Sequence, residues 1–185
     1  IGPKFGFAPP NRKVTMDFTQ KWAKVIYEYS IRWGNKINGW WIDGCYADPD
    51  WGYSFTPELL KPYYDAVKAG NPESLVAFNN ACQPKLTKYY PDEDFTCGER
   101  TDFTEIPEGR FIDGAQAHIL TPLGLSPNPE QPWCSWCRPG LKHDHEYLKE
   151  YVKKVHDAGG VLTIDVWMGE EGEFDPEQLA ALKGI

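Results

Sequence analysis

A chain of 185 residues is the size of one domain, long enough to bury roughly 70% of the surface its unfolded form exposes. With 41% apolar and 25% charged residues, and no run of about 18 apolar residues, its composition excludes a disordered chain and a membrane-spanning helix. A formal charge of −8 argues against nucleic acid as a partner, because a phosphate-binding surface needs clustered Lys and Arg, and a neutral or cationic ligand fits better.

Residues 1 to 10 read as an extended opening, and the lack of a Met before Ile1 is expected of a processed or excised segment. From about Phe18 to Trp33, the apolar residues Trp22, Val25, Ile26, Tyr29 and Trp33 recur at helical spacing, with Asp17 and Gln20 as a capping box and Gly34 as the stop. The run from Ile37 to Gly44 is apolar on both faces, as a strand buried between two layers must be. A loop rich in Asp, Pro and Trp follows. Thr56-Pro57-Glu58 then opens a helix striped with Leu59, Leu60, Tyr63 and Val67, and Gly70-Asn71-Pro72 closes it. Leu75 to Phe78 predicts a second strand ending at Asn79-Asn80, Asp94 to Gly98 a short third, and Ala115 to Leu120 a fourth. After a Pro-rich and Trp-rich loop from Thr121 to Lys142 comes a helix from about Asp144 to Ala158, with Leu148, Tyr151, Val152 and Val155 on one face. Val161 to Val166 is the fifth strand, and Asp175-Pro176-Glu177-Gln178 caps a last helix. Strands alternating with helices specify an α/β fold with parallel strands, because parallel neighbours need a crossover. The expectation is one domain over residues 1 to 185, built as part of a (β/α) barrel with about five strands.

Such barrels place reactive groups at the carboxyl ends of strands. That rule selects Asp43 after the first strand, Asn79 and Asn80 after the second, Glu99 after the third, His118 in the fourth and Asp165 late in the fifth. Asp43 behind Trp40-Trp41-Ile42 stands out, since an unpaired carboxylate in an apolar setting costs several kcal/mol. The alternative is an Asp that caps a loop by bonding the amides between Gly44 and Tyr46. Hydrolysis of a glycosidic bond with retention needs two carboxyl groups about 5 to 5.5 Å apart. Asp43 is the natural nucleophile and Glu99 the acid/base candidate, with Asp48 and Asp50 as competitors; Glu99 could instead pair with Arg100 or Arg110. Rings reach 15% of the chain, with eight Trp, and Trp41, Tyr46, Trp51 and Trp133 are candidates to stack on a sugar, with Asn79, His118 and Asp165 as polar contacts. His118 reads equally as a core histidine. Cys134 and Cys137 with His143 and His145 outline a zinc site at poor spacing, so no metal or cofactor is expected. The chain has neither a Gly-rich phosphate loop nor a Gly-x-Ser-x-Gly elbow.

Trp40-Trp41-Ile42-Asp43-Gly44 resembles the Trp-Phe-Asp-Gly run that carries the nucleophile of α-L-fucosidases, glycoside hydrolase family twenty-nine. Gly160 to Val166, then Gly169 to Gly172, Phe174 and Gln178-Leu179, resembles the last strand, glycine turn and final helix of that family, and Phe95 to Glu99 resembles its sixth-strand region. The resemblance implies a retaining glycosidase in which Asp43 forms a glycosyl ester and an acid/base residue, carried to Glu99, activates water. Two departures stand beside it. The family's Asn-Val pair is Asp165-Val166 here, and the three strands that precede the nucleophile strand in the family are absent. Five strands cannot close an eight-stranded barrel, and their open edges predict a homo-oligomer, a missing barrel half, or edges capped by residues 1 to 10 and the loops. The other reading is a non-catalytic carbohydrate-binding half-barrel or an inactive fragment.

Overall fold

The computed structural model describes residues 2–7, 13–47 and 54–185. Two compact units result, one from Ile1–Ala81 with Lys88–Phe95 and the other from Cys82–Thr87 with Thr96–Ile185.

In the first unit, helix α1 (Met16–Trp33) starts at Thr15, whose hydroxyl accepts the Phe18 N–H at 3.2 Å. Thr15 takes the cap expected of Asp17, which sits in the first turn and pairs with Lys21 one turn on at 2.6 Å. The face that α1 buries is Thr19, Ala23, Ile26 and Ser30, while Tyr29 and Trp33 of the expected stripe stay 43% and 40% exposed. Close packing on α2 (Pro57–Gly70) selects that face. Ser30 Oγ donates to the Val67 carbonyl at 2.7 Å and accepts the Gly70 N–H at 3.0 Å, and a Cβ at position 70 would stand 2.0 Å from the Ser30 carbonyl oxygen. Only small residues permit that approach.

Strands β1 (Gly39–Ile42) and β2 (Leu75–Phe78) pair in parallel, from Gly39↔Leu75 to Ile42↔Phe78. The ladder continues beyond both ends, through Leu75 N–H to the Asn38 carbonyl and Asn79 N–H to the Ile42 carbonyl, each 2.8 Å. Beyond β2, Asp94 donates its N–H to Val76 and accepts the Val76 N–H on Oδ2, both at 2.9 Å. Among the described residues β1 therefore has a partner on one side only. Trp40, Trp41 and Ile42, expected to be buried, are half-buried, whereas Val76, Ala77 and Phe78 are fully enclosed. Leu60, Tyr63, Val67, Phe78 and Tyr90 form the core of this unit, each worth about 1.5–3 kcal/mol of burial.

The second unit repeats the scheme. The expected third strand, Asp94 to Gly98, is no regular strand: one bridge residue is Phe95, and beyond it Glu99 pairs in parallel with Leu120, flanked by Leu120 N–H to Gly98 and Arg100 N–H to Leu120 at 2.9 and 2.8 Å. Gly98 has φ +64, and a Cβ there would lie 1.9 Å from the His118 carbonyl oxygen, so the chain bends where a regular strand would continue. The expected fourth strand divides in two. Phe111–Ile112 (β3) and Ala115–Gln116 (β4) form a hairpin turned by Asp113 and Gly114, both at positive φ, and β5 runs over His118–Pro122. β5 pairs in parallel with β6 (Val161–Asp165), from His118↔Val161 to Pro122↔Asp165. Helix α3 (His145–Asp157), capped by Asp144, packs on β6, and α4 (Pro176–Leu182) is capped by Asp175. Phe103, Ile119, Leu123, Leu148 and Val155 fill this unit's core. The architecture is mixed α/β with short parallel strand pairs, and the described residues close no barrel. No described helix is long and apolar enough to cross a membrane.

Candidate active site

Asp43 follows β1 directly and is exposed, and three donors meet on its Oδ1. The Gly44 N–H lies at 2.6 Å, the Tyr46 hydroxyl at 3.1 Å and the Asn79 amide nitrogen at 2.8 Å. The Gly44 contact is the one a loop cap would make. Asn79 goes beyond a cap, because it arrives from the end of the neighbouring strand β2 and is 1% exposed. Tyr46 is held in turn by Phe55, whose N–H donates to the Tyr46 carbonyl at 3.1 Å. The parallel pairing of β1 and β2 thus brings together three residues expected from the sequence: Asp43, Tyr46 and Asn79. Trp41, half-buried, stands two residues earlier on β1. Trp51, with Asp48 and Asp50, lies outside the described residues.

The remaining expected residues belong to the second unit. Glu99 sits half-buried at the bridge to Leu120. Arg100 gives its ion pair to Glu105 and one guanidinium N–H to the Glu99 main-chain carbonyl at 2.6 Å. Arg110 donates to Gln116 at 3.4 Å. Cys82 lies within electrostatic reach of Glu99: local burial and that carboxylate push its thiol up to about 11.

His118, expected within the fourth strand, stands at a strand start instead. It opens β5 and lies inside, with Nδ1 3.0 Å from the Thr96 carbonyl and Nε2 2.8 Å from the Thr163 hydroxyl. Burial holds its imidazole below the ordinary range, against the backbone hydrogen bonds, so the neutral ring ties the Thr96 segment and β6 to β5. Trp133 is 53% exposed on a short 3-10 turn, Pro132–Ser135. Asp165 ends β6 as expected, but both of its oxygens face Cys137, with the Cys137 N–H 2.8 Å from Oδ2 and its thiol 3.5 Å from Oδ1. Burial and the Asp165 carboxylate push the Cys137 thiol up, which keeps it a protonated donor.

The Cys and His residues of the zinc outline part company. His143 bonds Asp102 at 2.6 Å, His145 bonds the Ala181 carbonyl at 2.8 Å, and Cys134 and Cys137 are free thiols. Among the described residues no three His, Cys, Asp or Glu side chains gather as a metal would require.

Several polar groups had no separate signal in the sequence. Lys142 sends its half-buried ammonium to the Thr101 and Pro122 carbonyls at 2.6 and 3.2 Å, and burial lowers its pKa against the pull of Asp102. Burial alone would push the Asp102 carboxyl up; the hydrogen bond from His143 outweighs it with the Phe103 N–H and holds the group below its ordinary range. Glu93, 3% exposed, accepts N–H groups from Tyr89 and Phe78 at 2.6 and 3.3 Å, and burial still raises its carboxyl to about 7.

The fold has solved counterparts. A variant of the endo-fucoidan hydrolase MfFcnA4 from glycoside hydrolase family 107 superposes over 89% of this chain with a TM-score of 0.66 and 16% identity. The endo-fucoidan hydrolase MfFcnA9 of the same family matches over 89% with a TM-score of 0.64 and 16% identity. The fold is glycoside-hydrolase-like. A protein from Bacteroides thetaiotaomicron, provisionally assigned as an alpha-L-fucosidase, matches over 95% of the chain with a TM-score of 0.61 and 13% identity. The chain spans 29%, 35% and 39% of these three proteins respectively. No family model and no curated protein matches it.

Proposed function

We propose that the chain is the nucleophile-bearing part of a retaining glycoside hydrolase acting on fucose-containing glycans, folded as part of a (β/α) barrel. The observation that carries this reading is the Asp43 carboxylate after β1, gripped at 2.8 Å by an amide from the end of β2. Barrel glycosidases build their sites from such adjacent strand ends. Likeness in fold to two fucoidan hydrolases supports the substrate class. Asp43 attacks the anomeric carbon as Glu99 protonates the departing oxygen; Glu99 then takes a proton from the water that cleaves the ester. Trp41, Tyr46 and Trp133 supply rings for the sugar. Among the described residues β1 and β6 each pair on one side only, which supports further strands, from a second copy or from the remaining barrel, joining there.

The test is turnover of an aryl α-L-fucoside. Asp43→Asn is expected to lose at least about a thousandfold, because an amide cannot form the ester, while the circular dichroism spectrum stays unchanged. Glu99→Ala is expected to slow substrates with poor leaving groups most, with azide restoring part of the rate. Full turnover by Asp43→Asn would remove the nucleophile role. A wild-type protein that binds a fucose glycan in calorimetry but turns over no glycoside would establish the carbohydrate-binding reading instead.

A further inference from the structure

The nucleophile reading of Asp43 leaves open which of its two oxygens reacts, and the geometry distinguishes them. All three donors among the described residues, the Gly44 N–H, the Tyr46 hydroxyl and the Asn79 amide, converge on Oδ1. A carboxylate oxygen offers about two lone-pair sites, so Oδ1 is saturated. We infer that Oδ2 is the attacking atom and that Asn79 is the positioning residue that makes it so; this rests on the function proposed above.

Asn79 can donate only in this direction. Its own Oδ1 accepts the Ala81 N–H at 2.8 Å, so flipping the amide would set a carbonyl oxygen against the Asp43 carboxylate and an NH2 group against the Ala81 N–H. Its main chain is fixed to β1 by the 2.8 Å bond to the Ile42 carbonyl. Ala81 presents its N–H from φ +65, the left-handed region that a residue with a Cβ enters only at a cost. A strained alanine therefore orients a buried amide, and the amide orients an exposed carboxylate.

The chemistry makes the assignment consequential. In the first step an Oδ2 lone pair bonds to the anomeric carbon, and the bond to the leaving oxygen breaks with its electron pair, which the acid protonates. Oδ1 becomes the ester carbonyl. In the second step water attacks the anomeric carbon and gives its proton to the base, and the Oδ2–carbon pair returns to the carboxylate. Negative charge on Oδ1 falls in the first step and returns in the second, so donors to Oδ1 favour the second.

Loss of one donor should therefore slow ester hydrolysis selectively. With an activated aryl fucoside, Asn79→Ala is expected to lower kcat by about tenfold, the order of one charge-assisted hydrogen bond, and KM by at least as much, with kcat/KM held or raised and a burst of aryl alcohol that reveals accumulated ester. Tyr46→Phe, at a half-buried position, is the second variant and should give the same signature if Asn79→Ala fails to fold. A raised KM without a burst in both variants would overturn the inference. A crystal structure of Asn79→Ala reads the positioning role without any turnover: a rotated Asp43 carboxylate supports it, and an unmoved one overturns it. Failure of the parent reading shows separately, as an inert wild-type protein.

Discussion

Asp43 and Asp165 occupy equivalent places in their own units, each at the carboxyl end of a parallel strand that is paired on one side only among the described residues. Their carboxylates are treated differently. Asp43 is exposed and held by one oxygen, through donors from its loop and from the adjacent strand. Asp165 has both oxygens turned to a single residue, Cys137, which is itself at φ +50. Gln178 reinforces that loop, accepting the Trp167 N–H at 2.8 Å and donating to the Arg138 and Gly140 carbonyls at 2.8 and 2.7 Å. A strand-end carboxylate is thus a candidate for chemistry only where the surrounding donors leave one oxygen for a ligand; where they use both, it is an anchor.

The strongest way to break the comparison is to exchange each acid for its amide. Asp43→Asn should cost at least about a thousandfold in turnover and Asp165→Asn no more than a few-fold, as measured by initial rates on an aryl fucoside. Equal losses would place both carboxylates in the reaction and end the distinction.

That distinction was half legible in the sequence. The alternation of strands and helices and the rule of strand ends selected Asp43, Asn79 and Asp165, because backbone pairing follows from patterns each segment carries. The partner of each oxygen was not legible. Cys137 reaches Asp165 across 28 positions and Asn79 reaches Asp43 across 36, and no local pattern encodes such distances. On α1 the apolar period pointed to Trp22, Tyr29 and Trp33, but close packing against Gly70 favoured the small residues Thr19, Ala23 and Ser30. The hairpin at Asp113-Gly114 is legible as well, since an Asp-Gly pair between short strands is a strong turn signal, and it divides the strand expected over Ala115 to Leu120. His118 moved from strand middle to strand start for the same reason, once Ala115 and Gln116 had gone to that hairpin.

A third carboxylate sharpens the contrast from the buried side. Glu93 accepts two main-chain N–H groups, from Tyr89 and Phe78, yet burial still carries its carboxyl from 4.5 to about 7. Its folded pKa is raised, so its contribution to stability is full below the unfolded value of 4.5 and is lost as pH rises through 7. The loss amounts to about 3 kcal/mol. Urea denaturation at pH 5 and pH 8 should show the wild-type protein losing stability relative to Glu93→Gln. A difference between the two proteins that does not change with pH would mean that Glu93 titrates as an ordinary carboxylate.

The smallest expected effect tests Asp165 as an anchor. Asp165→Ala removes both acceptors of Cys137, and because Cys137 is exposed, water can replace part of what is lost. The expected cost is therefore about 1–2 kcal/mol rather than the larger penalty of a buried orphan donor. It should fall on the loop: the Cys137 amide should exchange its hydrogen roughly tenfold faster, while amides in the core of α3 keep their protection. Loop mobility then separates the two roles of a strand-end acid, since an anchor changes exchange at Cys137 and leaves turnover nearly alone. If Asp165→Ala abolished turnover with Cys137 exchange unchanged, Asp165 would belong with Asp43, and the rule that a doubly engaged carboxylate is an anchor would fail for this fold.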